Sequence, residues 1–155
     1  MQAAMTSAAI AIMATMSSGT FQTKAPAPAT SAACAVLMKD DASAALGESV
    51  TGPDASSARG DEASSCEYRG SGLHSVHLNL MKLSAQTAAA YKQLCAQKGK
   101  EGLTGLGDTA CWYNAKHEEL QVLKGLTFFS IEMRGQGNPT EAIKGVAQKV
   151  FDRIK

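Results

Sequence analysis

ELQVLKGLTFFSIEMR, residues 119–134, is the stretch that decides the fold. Two strand-like runs, 119–124 and 127–134, are separated by Gly125-Leu126, which is short enough for a hairpin connection. In the second run two sets of residues alternate with the period of a strand: Phe129, Ile131 and Met133 on one face, and Phe128, Ser130 and Glu132 on the other. The stretch therefore predicts two neighbouring antiparallel strands.

The residues after this hairpin predict a long terminal helix. Asn138 is a suitable cap, Pro139 fits the first turn, and Glu141 lies three residues after the cap. Apolar residues then recur at helical spacing on one side: Ile143, Val146, Ala147, Val150, Phe151 and Ile154. A helix with such a stripe is expected to pack on the apolar face of a sheet.

Upstream of the hairpin, the same signals predict shorter elements. From the amino end they are a helix over 37–46 that stops at Gly47, a loop over 47–65 with a weak edge strand near 49–51, strands over 66–69 and 76–80, a helix over 84–97 capped by Ser84, a loop over 99–110 and a strand over 111–115. The order α-β-β-(β)-α-β-β-β-α, with short turns between strands, predicts an α+β domain. In it three helices flank an antiparallel sheet of five or six strands.

Composition limits the classes of partner. The chain has 155 residues, a hydrophobic fraction of 45% and 14 glycines, which fit one domain with a real core and generous loops. The formal net charge is +1, and Lys24 is the only charged residue before Cys34. The 14 basic residues that follow form no cluster of the kind that grips a nucleic-acid backbone. We therefore expect no nucleic-acid binding.

Residues 1–33 differ from the rest and are typical of a leader with a flexible spacer, which leaves 34–155 as a single domain. The apolar run AAMTSAAIAIMATM, residues 3–16, is too short to span a bilayer, but its length fits the core of a secretory signal peptide. A basic start is missing, so the true start lies upstream, or the leader is atypical, or the segment is a disordered tail on a cytosolic protein. We expect a periplasmic or secreted protein.

Four cysteines favour export: Cys34, Cys66, Cys95 and Cys111. Their spacings of 32, 29 and 16 residues contain no close pair of the zinc-binding or Cys-x-x-Cys redox kind, so disulfides are expected. Three pairings are possible, and sequence alone does not choose between them. We favour Cys34–Cys66 and Cys95–Cys111, because each bond then joins the end of a helical region to a nearby strand. Four buried free thiols in a cytosolic protein are the alternative.

Short motifs spread over the domain resemble those of a known family. They are Cys34 followed by Val36-Leu37, then Leu46-Gly47, Cys66-Glu67-Tyr68 and Gly105-Leu106-Gly107-Asp108-Thr109-Ala110. Over residues 34–155 the chain is similar to small exported lipoproteins and periplasmic proteins of unknown function from bacteria. The resemblance implies an antiparallel sheet with flanking helices and a bond between the first two cysteines, and it brings no catalytic residues. Ser31 stands where a lipidation signal has a leucine-like residue, so we expect no membrane anchor.

The sequence shows no catalytic or metal-binding set, and we expect no enzymatic activity, cofactor or metal. His74 and His77 would point to opposite faces of a strand, and no Gly-x-Ser-x-Gly nucleophile motif occurs. The glycine-bearing loop 99–110 could cradle an anion, but a turn in which Asp108 bonds nearby backbone explains it better. Arg59-Gly60-Asp61 matches an adhesion tripeptide, yet chance produces such short matches easily, and we expect no adhesion.

The remaining functional residues are candidate contacts with a partner. An aromatic residue beside a flexible loop is a typical contact, and the candidates are Trp112, Tyr113, Gly105, Gly107 and Asp108. For Trp112 ordinary core packing is the favoured role. The sequence thus predicts a non-enzymatic exported binding module of the bacterial cell envelope, whose partner is an unknown protein or envelope component. The alternative is an inhibitor or immunity-type protein that blocks another enzyme with a rigid loop at 52–65 or 99–110. The sequence predicts no oligomeric state.

Overall fold

A computed structural model of the chain describes residues 31–58, 62–97 and 101–155. The Arg59-Gly60-Asp61 tripeptide and residues 1–30 of the expected leader lie outside these ranges. Within them no helix combines the length and the apolar character that crossing a membrane requires.

In the described ranges the chain forms four helices and seven strands. The helices are α1 (Ala32–Val36), α2 (Lys39–Leu46), α3 (Ala85–Cys95) and α4 (Thr140–Arg153). The strands are β1 (Thr51–Ala58), β2 (Ala63–Arg69), β3 (Ser75–Lys82), β4 (Gly102–Leu103), β5 (Thr109–Trp112), β6 (Glu119–Lys124) and β7 (Thr127–Arg134). The α+β class is confirmed, whereas the sequence predicts one helix and one or two strands too few.

All seven strands form one antiparallel sheet in the order β1-β2-β3-β7-β6-β5-β4. Two runs of consecutive strands, β1–β3 and β4–β7, meet where β3 pairs with β7. The hairpin β6–β7 has the bounds that the sequence predicts, and Ser84 caps α3 by accepting a hydrogen bond from the Thr87 amide at 3.1 Å. Helix α4 begins one residue later than expected, at Thr140, whose amide donates to Asn138.

Several features differ from the sequence expectation, among them β5, which covers Thr109–Trp112 and not 111–115. The helix predicted over 37–46 begins two residues later, at Lys39, because Leu37 and Met38 have extended backbone angles and separate it from α1. Helix α1 itself uses residues 32–33, which read as spacer, and Ser31 caps it by accepting from the Cys34 amide. Strand β1 occupies the polar stretch predicted as a loop. The sequence does not predict it, because an edge strand with exposed side chains lacks the apolar–polar alternation that identifies a half-buried strand.

The sheet has a core on each face. Helices α1, α2 and α4 pack on one face, where the largest fully buried side chains include Phe129, Ile131, Leu78 and Leu120. Helix α3 packs on the other face at the β5–β6 end, where Tyr91 contacts the Phe128 ring edge-on with centroids 5.1 Å apart. Among the described residues, α3 covers the β5–β6 end of this second face, and the rest of the face has no helix packed on it.

Each layer of helices is joined to the sheet by one disulfide. Cys34 of α1 is bonded to Cys66 of β2, and Cys95 at the end of α3 is bonded to Cys111 of β5. These are the two bonds that the sequence analysis favours. They are compatible with an oxidising compartment outside the cytosol.

A buried carboxylate joins α2 to α4. The side chain of Asp41 is 6% exposed, accepts hydrogen bonds from the Arg153 guanidinium, and lies 3.2 Å from Lys149 Nζ. Burial raises its pKa, but the hydrogen bonds from Arg153 and Lys149 outweigh burial and hold the pKa below its ordinary value. Arg153 also donates to the Val36 carbonyl at 2.9 Å, so the same guanidinium reaches the end of α1.

We expect Asp41→Asn to lower the free energy of unfolding by about 2 kcal/mol, less than for a fully buried pair because Arg153 and Lys149 keep contact with water. The stabilisation by ionised Asp41 is present above the unfolded-state pKa, ordinarily 3.8, and is lost as pH falls through the lower folded-state pKa. Urea unfolding of both proteins at neutral and acid pH measures this. The matched control is Asp40→Asn on the exposed neighbour, and an equal loss in both variants would contradict the assignment.

We also expect removal of either disulfide to destabilise the domain. On the loop-entropy model, replacing both cysteines of the Cys34–Cys66 pair by alanine costs about 4 kcal/mol, and the same change at Cys95–Cys111 costs about 3 kcal/mol, because the first bond closes a loop twice as long. Urea unfolding under non-reducing conditions gives both values. An unchanged unfolding midpoint in either double variant would mean that its bond does not constrain the native chain.

Candidate functional site

The sheet face opposite α1, α2 and α4 carries polar side chains over most of its area. Strand pairing places them in four rows that run across the strands, about 7 Å apart along each strand. The rows are cationic (Arg69, Ser75, Arg134), acidic (Asp54, Glu67, His77, Glu132, Glu119), uncharged polar (Ser56, Ser65, Asn79, Ser130, Gln121) and apolar (Ala63, Met81, Phe128, Leu123). We call the face that bears these rows the open face. Helix α3 covers its apolar row at Phe128 and Leu123, and Ser75 and Ser130 are buried among their neighbours.

Each arginine of the cationic row is held by the glutamate two residues before it. Arg69 Nη2 lies 2.7 Å from Glu67 Oε2, and Arg134 Nε donates to Glu132 Oε1 at 2.7 Å. The glutamate side chains are 25% exposed and the arginine side chains 60% and 67% exposed, so the guanidinium groups are the more accessible partners. The hydrogen bond from Arg69 outweighs burial and holds the pKa of Glu67 below its ordinary value.

The acidic row is the charged centre of the open face. His77 lies between Glu67 and Glu132, with its Nδ1 4.0 Å from Glu132 Oε2. The rows together hold four carboxylates and two guanidinium groups, so the face has an acidic balance. A partner would therefore meet fixed donors at one end of the strands and carboxylate acceptors in the next row.

The uncharged row is also ordered by contacts within the face. Asn79 Nδ2 donates to Ser130 Oγ at 3.4 Å, and Gln121 Nε2 donates to Glu119 Oε1 at 3.1 Å. No lysine occurs in the four rows, so the mobile cationic side chain that commonly solubilises a sheet surface is missing from this one. Side chains already held in place lose less conformational entropy when a partner binds.

A cleft of about 490 Å³ lies at the arginine end of the open face. Arg69 and Arg134 line it together with the turn that connects β2 to β3, where Leu73 is 87% exposed. Gly135 closes the cleft beneath His74 with a positive φ of 82°, and a side chain at position 135 would collide with the His74 ring. The close packing fixes the turn against the start of the β7–α4 connection.

A serine, a glutamate and a histidine meet beside this cleft, but they do not form a catalytic triad. Ser71 Oγ donates to Glu48 Oε2 at 2.6 Å, and His74 Nδ1 lies 2.6 Å from Glu48 Oε1. A nucleophilic serine needs a base that takes its proton and a third group that orients the base. Here the serine and the histidine both bind the carboxylate, and these hydrogen bonds hold the pKa of Glu48 below its ordinary value. The cluster ties the β2–β3 turn to the α2–β1 connection.

Of the partner contacts predicted from sequence, Trp112 lies in the core, and Tyr113 lies just after β5, where its amide donates to the Glu119 carbonyl at 3.0 Å. Trp112 is 1% exposed and stacks on the His117 ring with centroids 4.6 Å apart, so it presents no surface to a partner. Tyr113 is 54% exposed. The other predicted contacts are in the loop before β5: Gly105, Gly107 and Asp108. The side chain of Trp112 falls on the core face of β5, which is ordinary core packing.

Asp108 shapes a turn, as the sequence analysis favours. Its carboxylate accepts a hydrogen bond from the Gly125 amide at 3.1 Å and lies 3.5 Å from Lys92 Nζ. Its own amide donates to the Leu123 carbonyl at 2.8 Å. Gly107 has a positive φ of 69°, and a Cβ there would collide with the same carbonyl. These contacts hold the loop against the β6–β7 hairpin.

The part of the chain that the structure describes brings together no group of three or more His, Cys, Asp or Glu side chains suited to a metal ion. Comparison with protein-family models, with curated proteins and with solved structures found no match. The open face is therefore assessed on its own geometry.

The rows are the feature that sequence reasoning missed. The alternation in β3 already separates His77, Asn79 and Met81 from the core residues, which is a usable signal. The cross-strand neighbours are the missing information, because Glu67, His77 and Glu132 become adjacent only once β2, β3 and β7 are in register. A strand pattern gives the face of a residue but not its neighbour on the next strand.

We expect Arg69→Gln to raise the pKa of Glu67 towards its ordinary value of 4.5, because the variant loses the charged donor that stabilises the carboxylate. Carbon-detected NMR titration of the glutamate carboxyl groups measures the change. Arg134→Gln is the matched control, since its guanidinium donates to Glu132 and not to Glu67. A Glu67 pKa that is the same in wild type and Arg69→Gln would show that the pair does not persist in solution.

Proposed function

We propose that the protein is a non-enzymatic exported binding module of the bacterial cell envelope and that the open face is its binding surface. The observation that carries the proposal is the order of the polar rows. Each of the central charged and amide side chains is held by a neighbour on the same face, as in the Glu67–Arg69 and Glu132–Arg134 pairs. Such a surface is preorganised for a partner with complementary polar groups.

Two further observations support the proposal. Both disulfides are compatible with an oxidising compartment, and the apolar run over 3–16 is typical of a signal peptide. The motif series over 34–155 resembles that of small exported lipoproteins and periplasmic proteins. On this proposal the partner is a protein or another polar component of the envelope.

The alternative proposal, an inhibitor or immunity-type protein, needs a rigid loop that protrudes into another enzyme. Of its two candidate segments, residues 52–58 and 63–65 belong to strands β1 and β2. The described part of residues 99–110 contains β4 and the turn that Asp108 holds against the hairpin. Neither segment supplies a specific observation in favour of the alternative, so we retain the binding module as the proposed function.

We expect Asn79→Arg, which places a bulky charge in the middle of the uncharged row, to weaken binding to an envelope partner about tenfold or more. The probes are a periplasmic protein extract and soluble peptidoglycan fragments, with the retained component identified by mass spectrometry and its affinity measured by calorimetry. Gln148→Arg adds the same charge on the exposed side of α4 and is the matched control.

Retention of the same component by wild type and Gln148→Arg, with loss in Asn79→Arg, would support the open face as the binding surface. Equal retention by all three proteins would contradict it. Circular dichroism and the unfolding midpoint show whether Asn79→Arg is folded, which is expected because Asn79 is only half buried.

A further inference from the structure

Strand β1 forms one edge of the sheet and pairs only with β2. Among the described residues, the backbone groups on its outer side therefore have no strand partner. Such an edge is a template for pairing with another extended chain. The opposite edge, β4, is only two residues long.

The register shows which backbone groups face outwards. The Lys82 amide donates to the Glu62 carbonyl at 2.8 Å, beside the pair Ala63–Met81, so Ala63 directs its own amide and carbonyl away from β3 and towards β1. Ala63 pairs with Ala58. Because hydrogen-bonded and non-hydrogen-bonded pairs alternate along an antiparallel ladder, the amide and carbonyl groups of Ala55 and Ser57 point to the open edge.

The second half of β1 lacks the features that usually block an edge. Natural edges are protected by charged side chains, proline or irregular pairing. In β1 these occur together in the first half, where Pro53, Asp54 and a register irregularity between Thr51 and Asp54 lie. The residues that follow, 55–57, are Ala, Ser and Ser, and their small uncharged side chains leave room for a second backbone.

The edge is also rigidly presented. The strand that pairs with it among the described residues, β2, is bonded to α1 through Cys34–Cys66, and Ser31 Oγ donates to the Ser65 carbonyl at 2.9 Å. The Ala33 amide donates to Ser64 Oγ at 3.1 Å, which holds the same strand a second time. A partner that pairs with β1 therefore meets a strand already ordered, so little conformational entropy is lost on this side of the interface.

We propose that the outer edge of β1 at residues 55–57 accepts an extended polypeptide segment of another protein as an eighth strand. Donors and acceptors that alternate along a fixed line are matched by another extended main chain. Two copies paired antiparallel through β1 would bring two open faces of acidic balance side by side, so we assign the edge to an extended segment of a different protein. The assignment goes beyond the open face and does not depend on its partner.

The test uses the full chain and a phage-displayed library of linear peptides of about eight residues, the length of an ordinary strand. Enriched peptides are synthesised and their affinities are measured for wild type, Ser57→Pro and Ser57→Ala. Proline removes the outward amide without removing a hydrogen bond to β2, and an edge strand tolerates it there. We expect Ser57→Pro to bind up to about tenfold more weakly, as the loss of one hydrogen bond predicts, and Ser57→Ala to bind like wild type.

A second measurement does not depend on the folding of any variant. In an extended peptide, N-methyl groups at alternate residues all point to one edge. We therefore expect the pattern whose methyl groups face β1 to abolish binding to the wild-type protein, and the pattern whose methyl groups face away from β1 to leave binding largely intact. Amide NMR signals of Ala55 and Ser57 should shift on addition of the unmodified peptide.

Failure to enrich any peptide that binds the purified protein would overturn the proposal, as would peptides that bind wild type and Ser57→Pro equally. Concentration-dependent dimerisation that Ser57→Pro abolishes would assign the edge to a second copy and would also overturn it. Peptides that lose affinity for Asn79→Arg but not for Ser57→Pro would occupy the open face instead. That result would leave the proposed function standing and remove the edge site.

Discussion

The pairing of β3 with β7 is the constraint on which the rest of the structure depends. Eight consecutive residue pairs join the two strand runs at the centre of the sheet. Because side chains alternate between faces, a slip of β3 by one residue against β7 would turn Leu78 to water and bring His77 into the core. The apolar set thus fixes the register, and the same register builds the rows of the open face. The core and the candidate site are therefore consequences of one pairing.

The two sheet faces differ in role because most of the apolar area is buried on one of them. Helices α1, α2 and α4 cover the face that holds most of the core. The Cys34–Cys66 bond connects this layer of helices to the sheet, and the Asp41–Arg153 pair connects α2 to α4 within the layer. Exposed ion pairs such as Arg69–Asp54 contribute at most about 1 kcal/mol each. The polar side chains of the open face therefore contribute little to the stability of the fold, and their charged and polar groups can serve in recognition.

The parts of the fold that sequence reasoning predicts are those with a strong local signal. The β6–β7 hairpin and α3 carry clear periodicity, a two-residue turn and the Ser84 cap, so their existence and type follow from the residues alone. Strand β1 has no such signal, because its exposed side chains need not alternate. The rows of the open face could not be predicted from the sequence, since they join residues from strands that are distant in sequence.

The open face and the β1 edge are geometrically connected, although each was inferred from different groups. A strand added along β1 would place every second side chain on the open face, next to Asp54 and Ser56. The backbone ladder would supply affinity with little regard to sequence, whereas the acidic and uncharged rows would discriminate between side chains at alternate positions of the added segment. A segment with a basic residue opposite Asp54 and a small polar residue opposite Ser56 would satisfy both. A segment with an acidic residue at the first position would meet an existing carboxylate and be disfavoured.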